Sequence, residues 1–164
     1  MKTLLVLRHG KSSWQDPFLA DPDRPLKKRG KRAAKKMGEE IRRRALLPEL
    51  VLSSKAKRAR QTAKRAAEAM GYEGEVLREK DLYFTSAKKH LDVIAGLDDR
   101  HSRVLLVGHN PDLEDLVEKL TGESPALPTA ALAAIELAID AWKDVAPGKG
   151  TLSFLVKPKE LGKE

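Results

Sequence analysis

Two runs of four consecutive apolar residues, each closed by a histidine, constrain this chain more than any other feature. The first is Leu4-Leu5-Val6-Leu7, followed by Arg8-His9-Gly10; the second is Val104-Leu105-Leu106-Val107, followed by Gly108-His109-Asn110-Pro111. Runs this short do not make a helix, and they lack the alternation of a strand with one wet face. They read as strands buried on both sides, the pattern of a parallel sheet covered by helices. In open sheets of this kind, ligands bind beyond the carboxyl ends of the strands. Each run delivers a histidine at that end, so imidazoles from opposite ends of the sequence are expected to meet in one pocket.

The segments around these runs alternate between strand and helix. Thr3–Arg8 is the first strand. A loop carrying Pro17, Pro22 and Pro25 leads to a helix predicted over Lys28–Ala45, with Ala33, Met37, Ile41 and Ala45 as its buried stripe. Leu50–Leu52 reads as a short strand. Ser53 or Ser54 is the expected cap of a helix that carries Ala59, Ala63, Ala66 and Met70 inward and stops at Gly71. Glu75–Arg78 reads as a strand and Ser86–Gly96 as a helix. Pro111 suits the first turn of a helix in which Leu113, Leu116, Val117 and Leu120 hold i, i+3, i+4, i+7 spacing. Ala130–Ala138 is open between helix and strand, and Thr151–Val156 closes the chain as a strand after a turn at Pro147–Gly150. There is no internal repeat and no linker. The 164 residues read as a single α/β domain over 1–164, a three-layer sandwich with a largely parallel central sheet and helices on both faces.

Composition removes several classes of chemistry. The chain has no cysteine, so disulfides, thiolate nucleophiles and zinc sites built on Cys are excluded. No apolar stretch approaches the roughly 18 residues that span a bilayer, and the N-terminus lacks a secretory pattern. A cytoplasmic protein with no membrane partner is expected. The net charge of +8 reads first as a solvated Lys/Arg surface, and second as a surface that attracts phosphates or an acidic partner. Aromatics are only 4% of the chain and are not interleaved with the basic residues, so nucleic acid is not an expected partner.

The residues at the strand ends suit phosphoryl transfer, which needs cations aimed at the non-bridging oxygens and a nucleophile in line with the leaving group. Arg8 adjoins His9. Arg58 follows a strand in Ser53-Ser54-Lys55-Ala56-Lys57-Arg58-Ala59-Arg60-Gln61-Thr62, and His109 follows another. Arginine donates two parallel hydrogen bonds to phosphate and stays charged; a neutral imidazole attacks phosphorus to give a covalent intermediate. Gly10 is expected to let the chain turn tightly and bring backbone N–H groups near the anion. Singly, each residue has a plainer reading, as a hydrogen-bonding histidine or a surface arginine. His90 and His101 lie in polar stretches and read as surface residues.

Taken together, these motifs resemble the histidine phosphatase superfamily, which includes the cofactor-dependent phosphoglycerate mutases. Arg8-His9-Gly10-Lys11-Ser12-Ser13-Trp14 is similar to the RHAKSSW signature of the short bacterial SixA-like group. Arg24-Pro25-Leu26, Arg29-Gly30 and Trp142-Lys143-Asp144-Val145 also resemble that group, whose namesake removes phosphate from phosphohistidine in a bacterial phosphorelay. The resemblance implies a phosphoglycerate mutase-like fold, with His9 as the nucleophile that becomes phosphorylated and Arg8, Arg58 and His109 lining the phosphate pocket. It places Ser12 where the mutases use a serine near substrate and Gln15 where they carry an asparagine. It implies no metal and no other cofactor. The proline usual after the serine of the second motif is absent here. Glu79 and Asp81 lie roughly where some relatives supply a proton donor, whereas the SixA-like group has no evident acid. Imidazole is a better leaving group than an alkoxide, so P–N cleavage demands less help.

The chain has little length beyond its core elements, so an open cleft is expected. The function this implies is a phosphohydrolase acting on protein phosphohistidine, with a phosphorelay protein as partner. The alternative is a phosphomonoesterase for a small phosphorylated metabolite (a sugar phosphate or nucleotide), which needs Glu79 or Asp81 as acid. A more distant alternative is phosphate or RNA binding without catalysis.

Overall fold

The computed structural model describes residues 1–162. Six strands form one sheet: β1 (Lys2–Arg8), β2 (Leu50–Ser53), β3 (Val76–Arg78), β4 (Arg103–Gly108), β5 (Leu132–Leu137) and β6 (Gly150–Val156). Their order is β3-β2-β4-β1-β5-β6. β3, β2, β4 and β1 pair in parallel, and only β5 runs against its neighbours. The two apolar runs lie side by side, with Leu4 opposite Val104 and Arg8 opposite Gly108. Four helices cover the sheet: α1 (Lys28–Arg43), α2 (Lys57–Met70), α3 (Ala87–Ala95) and α4 (Asp112–Thr121).

Alternation along the buried strands builds two cores. Leu5, Leu7, Leu105 and Val107 pack with Met37 and Ile41 of α1 and the alanines of α2. Leu4, Val6, Val104 and Leu106 pack on the other face with Ile94 of α3 and Leu113, Leu116, Val117 and Leu120 of α4. The chain therefore leaves β1 toward one face and β4, its neighbour, toward the other. A crevice opens where adjacent strands send their connections to opposite faces, and it lies directly beyond His9 and His109.

Several elements differ from the sequence expectation. α1 ends at Arg43, and Ala45, expected on its stripe, is exposed with φ at 57°. The stripe itself is Gly30, Ala34, Met37, Gly38 and Ile41, with Ala33 only half-buried. The reason is the crossing with α2: a Cβ on Gly38 would lie 2.3 Å from the Ala66 carbonyl, so the helices meet through backbone at that glycine. The cap of α2 is Ala56 rather than a serine, because the Ser54 hydroxyl is turned elsewhere. The ambiguous Ala130–Ala138 segment forms β5; pairing on both edges and burial on both faces outweigh alanine's helix preference, which is worth less than about 1 kcal/mol per residue. His90 is buried, contrary to expectation, because it shares the covered face of α3 with Ala87 and Ile94, and its Nδ1 lies 2.7 Å from the Ser86 carbonyl. His101 is half-buried, and its main-chain carbonyl accepts from Lys2 Nζ and Trp142 Nε1. Among the described residues no helix is long and apolar enough to cross a membrane.

Candidate active site

His9 and His109 each stand one residue past paired strand ends, and their ring centroids are 5.1 Å apart. The backbone beneath them is tied down from β5. Ala130, with φ at 61°, donates its N–H to both the Arg8 and His9 carbonyls, a left-handed conformation that costs about 1 kcal/mol for a non-glycine residue. Gly10 and Gly30 approach so closely that a Cβ on Gly30 would lie 2.3 Å from the Lys11 carbonyl, and one on Gly10 would lie 2.8 Å from the Gly30 carbonyl. The Gly10 N–H donates to Thr62 Oγ1. Gly10 thus serves close packing, and its N–H does not point to an anion as the sequence had implied.

The proton positions of the two imidazoles follow from their partners. His9 Nδ1 is 2.7 Å from the Gly10 carbonyl, an acceptor only, so Nδ1 carries the proton and Nε2 the lone pair. His109 Nε2 is 2.7 Å from Ser54 Oγ. That hydroxyl already accepts from the Ala56 N–H, and His109 Nε2 is the acceptor within reach of its own hydrogen. We assign the His109 proton to Nδ1, because the other tautomer would leave the buried Ser54 hydrogen without an acceptor; Nδ1 is buried and has no protein partner among the described residues. A buried N–H without a partner is costly unless an acceptor arrives.

Both rings are neutral at pH 7. Burial above all, and then the charges of Arg58, Arg8 and Arg24, pull the His9 pKa from 6.5 down to about 4, against the opposing pull of the Gly10 carbonyl. Burial, then His9 and Arg58, take His109 down to about 3.

Two arginines flank the rings. Arg8 Nη1 donates to the Leu127 carbonyl at 3.0 Å, and Asn110 Nδ2 donates to the same carbonyl and to Glu114. Arg58 is only 3% exposed and is held by Asp21, at 2.9 Å to its carbonyl and 3.0 Å to its carboxylate. Arg24 joins the same loop: it donates to Ser12 Oγ at 2.7 Å and stacks on Trp14 at 3.1 Å. Ser12 therefore enters the site's surroundings through Arg24, while Gln15 is exposed on the loop, with its N–H on Ser13 Oγ. Glu79 caps its own 3₁₀ turn by accepting from the Asp81 N–H. Neither the Glu79 nor the Asp81 carboxylate is hydrogen-bonded to His9, Arg8, Arg58 or His109 among the described residues.

Aromatic side chains crowd the two histidines. Phe84 lies 4.7 Å from the His109 ring and Tyr83 meets its edge at 5.4 Å. His9 keeps 8% of its surface. Outside, Trp14, Phe18, Leu19 and Phe84 are exposed apolar side chains. A groove of about 880 Å³ runs from Lys11 and Thr129 toward the C-terminal segment, lined by Arg29, Arg32, Lys36, Lys157 and Lys159 with no acidic residue. Among the described residues, none of its cations forms an ion pair. Sequence reasoning had found His9, His109, Arg8 and Arg58 from the strand ends; it missed Ser54, Thr62, Asp21 and Tyr83. A signal for Ser54 and Thr62 was present, since both flank Arg58 in the second motif. Asp21 and Tyr83 sit in loops with no periodic pattern to mark them.

Comparison with known proteins decides the relationship. The family model for the histidine phosphatase superfamily (branch 1) matches residues 4–83. An uncharacterised chloroplastic protein of Arabidopsis thaliana is 30% identical over 174 residues, covering 96% of this chain and 78% of that protein. This chain belongs to the histidine phosphatase superfamily. Within it, an uncharacterised protein of Mycobacterium tuberculosis (strain H37Rv) is 31% identical, covering 89% of this chain and 96% of that one. Among solved structures, SixA from Agrobacterium tumefaciens is similar with a TM-score of 0.82 and 27% identity, covering 96% of this chain and 98% of that one. The protein histidine phosphatase SixA complexed with tungstate shares the fold with a TM-score of 0.85 at 23% identity, covering 98% of this chain and 99% of that one. Membership of the superfamily supports a phosphatase.

Proposed function

We propose that this protein removes phosphate from phosphohistidine carried on another protein, through a covalent phospho-His9 intermediate. The observation that carries the reading is the state of the two histidines. A neutral imidazole with its lone pair on Nε2 lies within the field of the cations Arg58 and Arg8, beside a second neutral imidazole whose Nδ1 has no partner among the described residues. His9 Nε2 attacks phosphorus, the P–N bond to the substrate imidazole breaks, and that imidazole leaves neutral with its proton on the ring nitrogen not bonded to phosphorus. Arg8, Arg58 and the His109 Nδ1–H stabilise the charge on the three equatorial oxygens. Water then attacks phosphorus, the P–Nε2 bond breaks, and inorganic phosphate leaves.

Two features favour a P–N substrate on a protein. Among the described residues the one carboxylate hydrogen-bonded to Arg58 is Asp21. Against burial, Tyr83, Arg58 and Arg24 hold its pKa at about 2, so it carries no proton at neutral pH, and an imidazole leaving group does not require an acid. The rim carries exposed Trp14, Phe18 and Phe84 beside a basic groove, which is the make-up of a protein-contact surface.

The test compares wild type with His9→Ala on a phosphohistidine protein and on an aryl phosphate ester. A strong preference for the P–N substrate, abolished by the substitution, supports the reading. A preference for the ester moves the assignment to a small-metabolite phosphomonoesterase, with Glu79→Gln and Asp81→Asn as the next variants. An active His9→Ala refutes the mechanism.

A further inference from the structure

Asp21 meets Arg58 at two points. The Arg58 Nη1 donates to the Asp21 main-chain oxygen at 2.9 Å, and Nη2 donates to Oδ2 at 3.0 Å. The same Oδ2 accepts from the Tyr83 hydroxyl, and Oδ1 accepts from Arg24 Nη1 at 3.2 Å. Arg24 is fixed in turn by Ser12 Oγ, the Ser13 carbonyl and the face of Trp14. One carboxylate thus gathers a buried arginine, a second arginine and a tyrosine from three separate segments of the chain.

A guanidinium has two edges that suit bidentate acceptors: the end edge of Nη1 and Nη2, and the side edge of Nε and Nη2. Asp21 occupies the end edge of Arg58. The Nε–H and the second Nη2 hydrogen, which lie together on the side edge, have no partner among the described residues. Arg58 is almost fully buried, so this open edge is a fork held in one orientation and short of water. A tetrahedral oxyanion offers the pair of acceptors it lacks.

We propose that Asp21 is the positioning residue for phosphoryl transfer: by clamping the end edge of Arg58, it aims the side edge at two oxygens of the phosphoryl group on its way to His9. The inference rests on His9 as the phosphoryl acceptor. Asp21 does not serve as the acid. Burial works to raise its pKa, but hydrogen bonds from Tyr83, Arg58 and Arg24 outweigh this and hold it at about 2, so it has no proton to give at neutral pH. As a fixed anion near an anion site, it opposes ground-state binding of phosphate by simple repulsion. Its benefit lies in the geometry of Arg58 in the transition state. Two opposite roles therefore make opposite predictions. An anion that merely blocks Arg58 would release it on removal; an anion that aims Arg58 would disable it.

The experiment measures the single-turnover rate of His9 phosphorylation by an aryl phosphate, alongside steady-state kcat and inhibition by inorganic phosphate. Asp21→Ala is expected to slow phosphorylation and kcat by about 10–100-fold, the range for groups that orient a reactive residue. Phosphate inhibition should weaken less than threefold or tighten. Asp21→Asn keeps an oxygen acceptor for Arg58 and is expected to recover most of kcat. Tyr83→Phe, which removes one donor to the carboxylate and leaves the fold's core intact, is expected to give a smaller loss in kcat with little change in phosphate inhibition. Faster phosphorylation in Asp21→Ala, or an unchanged rate, overturns the proposal; so does an equal loss in Asp21→Asn and Asp21→Ala. Wild type that never forms phospho-His9 removes the underlying reading as well, and the labelling measurement separates that outcome from the others.

Discussion

Ser54 Oγ lies 2.7 Å from His109 Nε2 and accepts the Ala56 N–H. On the proposed mechanism, this pair sets which nitrogen of His109 offers a proton to the phosphoryl group. Ser54→Ala removes the partner of Nε2 and frees the ring to adopt the other tautomer, which presents a lone pair to an anion. We expect kcat to fall about 10–100-fold, with the fold preserved, because the substitution deletes one hydroxyl. His109→Ala, which removes the donor itself, should lose about 100–1,000-fold. Steady-state kinetics on an aryl phosphate measures both, and a Ser54→Ala enzyme as active as wild type would refute the tautomer assignment.

Activity should persist at unusually acid pH for a histidine nucleophile. Burial and the nearby arginines hold His9 neutral down to about 4. The acid limb of kcat/KM, corrected for ionisation of the substrate, is therefore expected near pH 4 rather than near 6.5. A limb near 6.5 would contradict this.

Stability should show the same ionisations with the opposite side exposed. The folded-state pKa values of His9 and His109 lie below the unfolded value of 6.5, so the unfolded chain binds more protons between that value and about 4. Their contribution is full above pH 6.5 and is lost as the pH falls through the window. Denaturant titrations at pH 7 and pH 4.5 should show the lower midpoint at pH 4.5, and His9→Ala should reduce the difference.

The basic groove beside Lys11 should act on encounter with a protein substrate and not on chemistry. Arg29→Glu combined with Arg32→Glu is expected to lower kcat/KM on an acidic phosphohistidine protein about 10-fold or more at low salt. Turnover of an aryl phosphate should be unchanged. Raising the ionic strength should shrink the gap between the two enzymes, since exposed charges are screened over about 10 Å at 0.1 M salt. An equal loss on both substrates would place these arginines in the catalytic apparatus instead.

Gly30→Ala tests the close approach behind the nucleophile. Its Cβ would lie 2.3 Å from the Lys11 carbonyl, so either α1 or the loop after His9 must shift. A cost of about 1–3 kcal/mol is expected, together with a loss of activity that Gly96→Ala, at the end of α3 with its nearest Cβ contact at 3.6 Å, should not share.

Much of this architecture was legible in the sequence because its strongest signals are physical necessities. Four apolar residues with no polar alternation must be covered on both faces, which fixed Leu4–Leu7 and Val104–Val107 as central strands. The histidines and Arg8 followed from their position at those strand ends. What was not legible depends on contacts between distant segments. The Ala130–Ala138 segment stays open between helix and strand in the sequence, and is a strand because β1 and β6 pair with its two edges. His90 sits among polar neighbours along the chain but lies on the covered face of α3 with Ala87 and Ile94. Asp21 lies among prolines and charges with nothing local to distinguish it, and acquires its place only when the loop brings it to Arg58.

The alignment of Arg8 with Gly108 across β1 and β4 separates two kinds of inheritance in this molecule. The spacing of the His9 and His109 imidazoles is written into a ladder of backbone hydrogen bonds in the middle of the sheet, where a slip of one residue would turn every side chain to the wrong face. The aromatic surroundings, from Trp14 and Phe18 to Tyr83 and Phe84, are written into loops. Substitutions or insertions can therefore reshape those loops while the distance between the two imidazoles stays fixed, so on the proposed mechanism new specificities can arise here without the chemistry having to be reinvented.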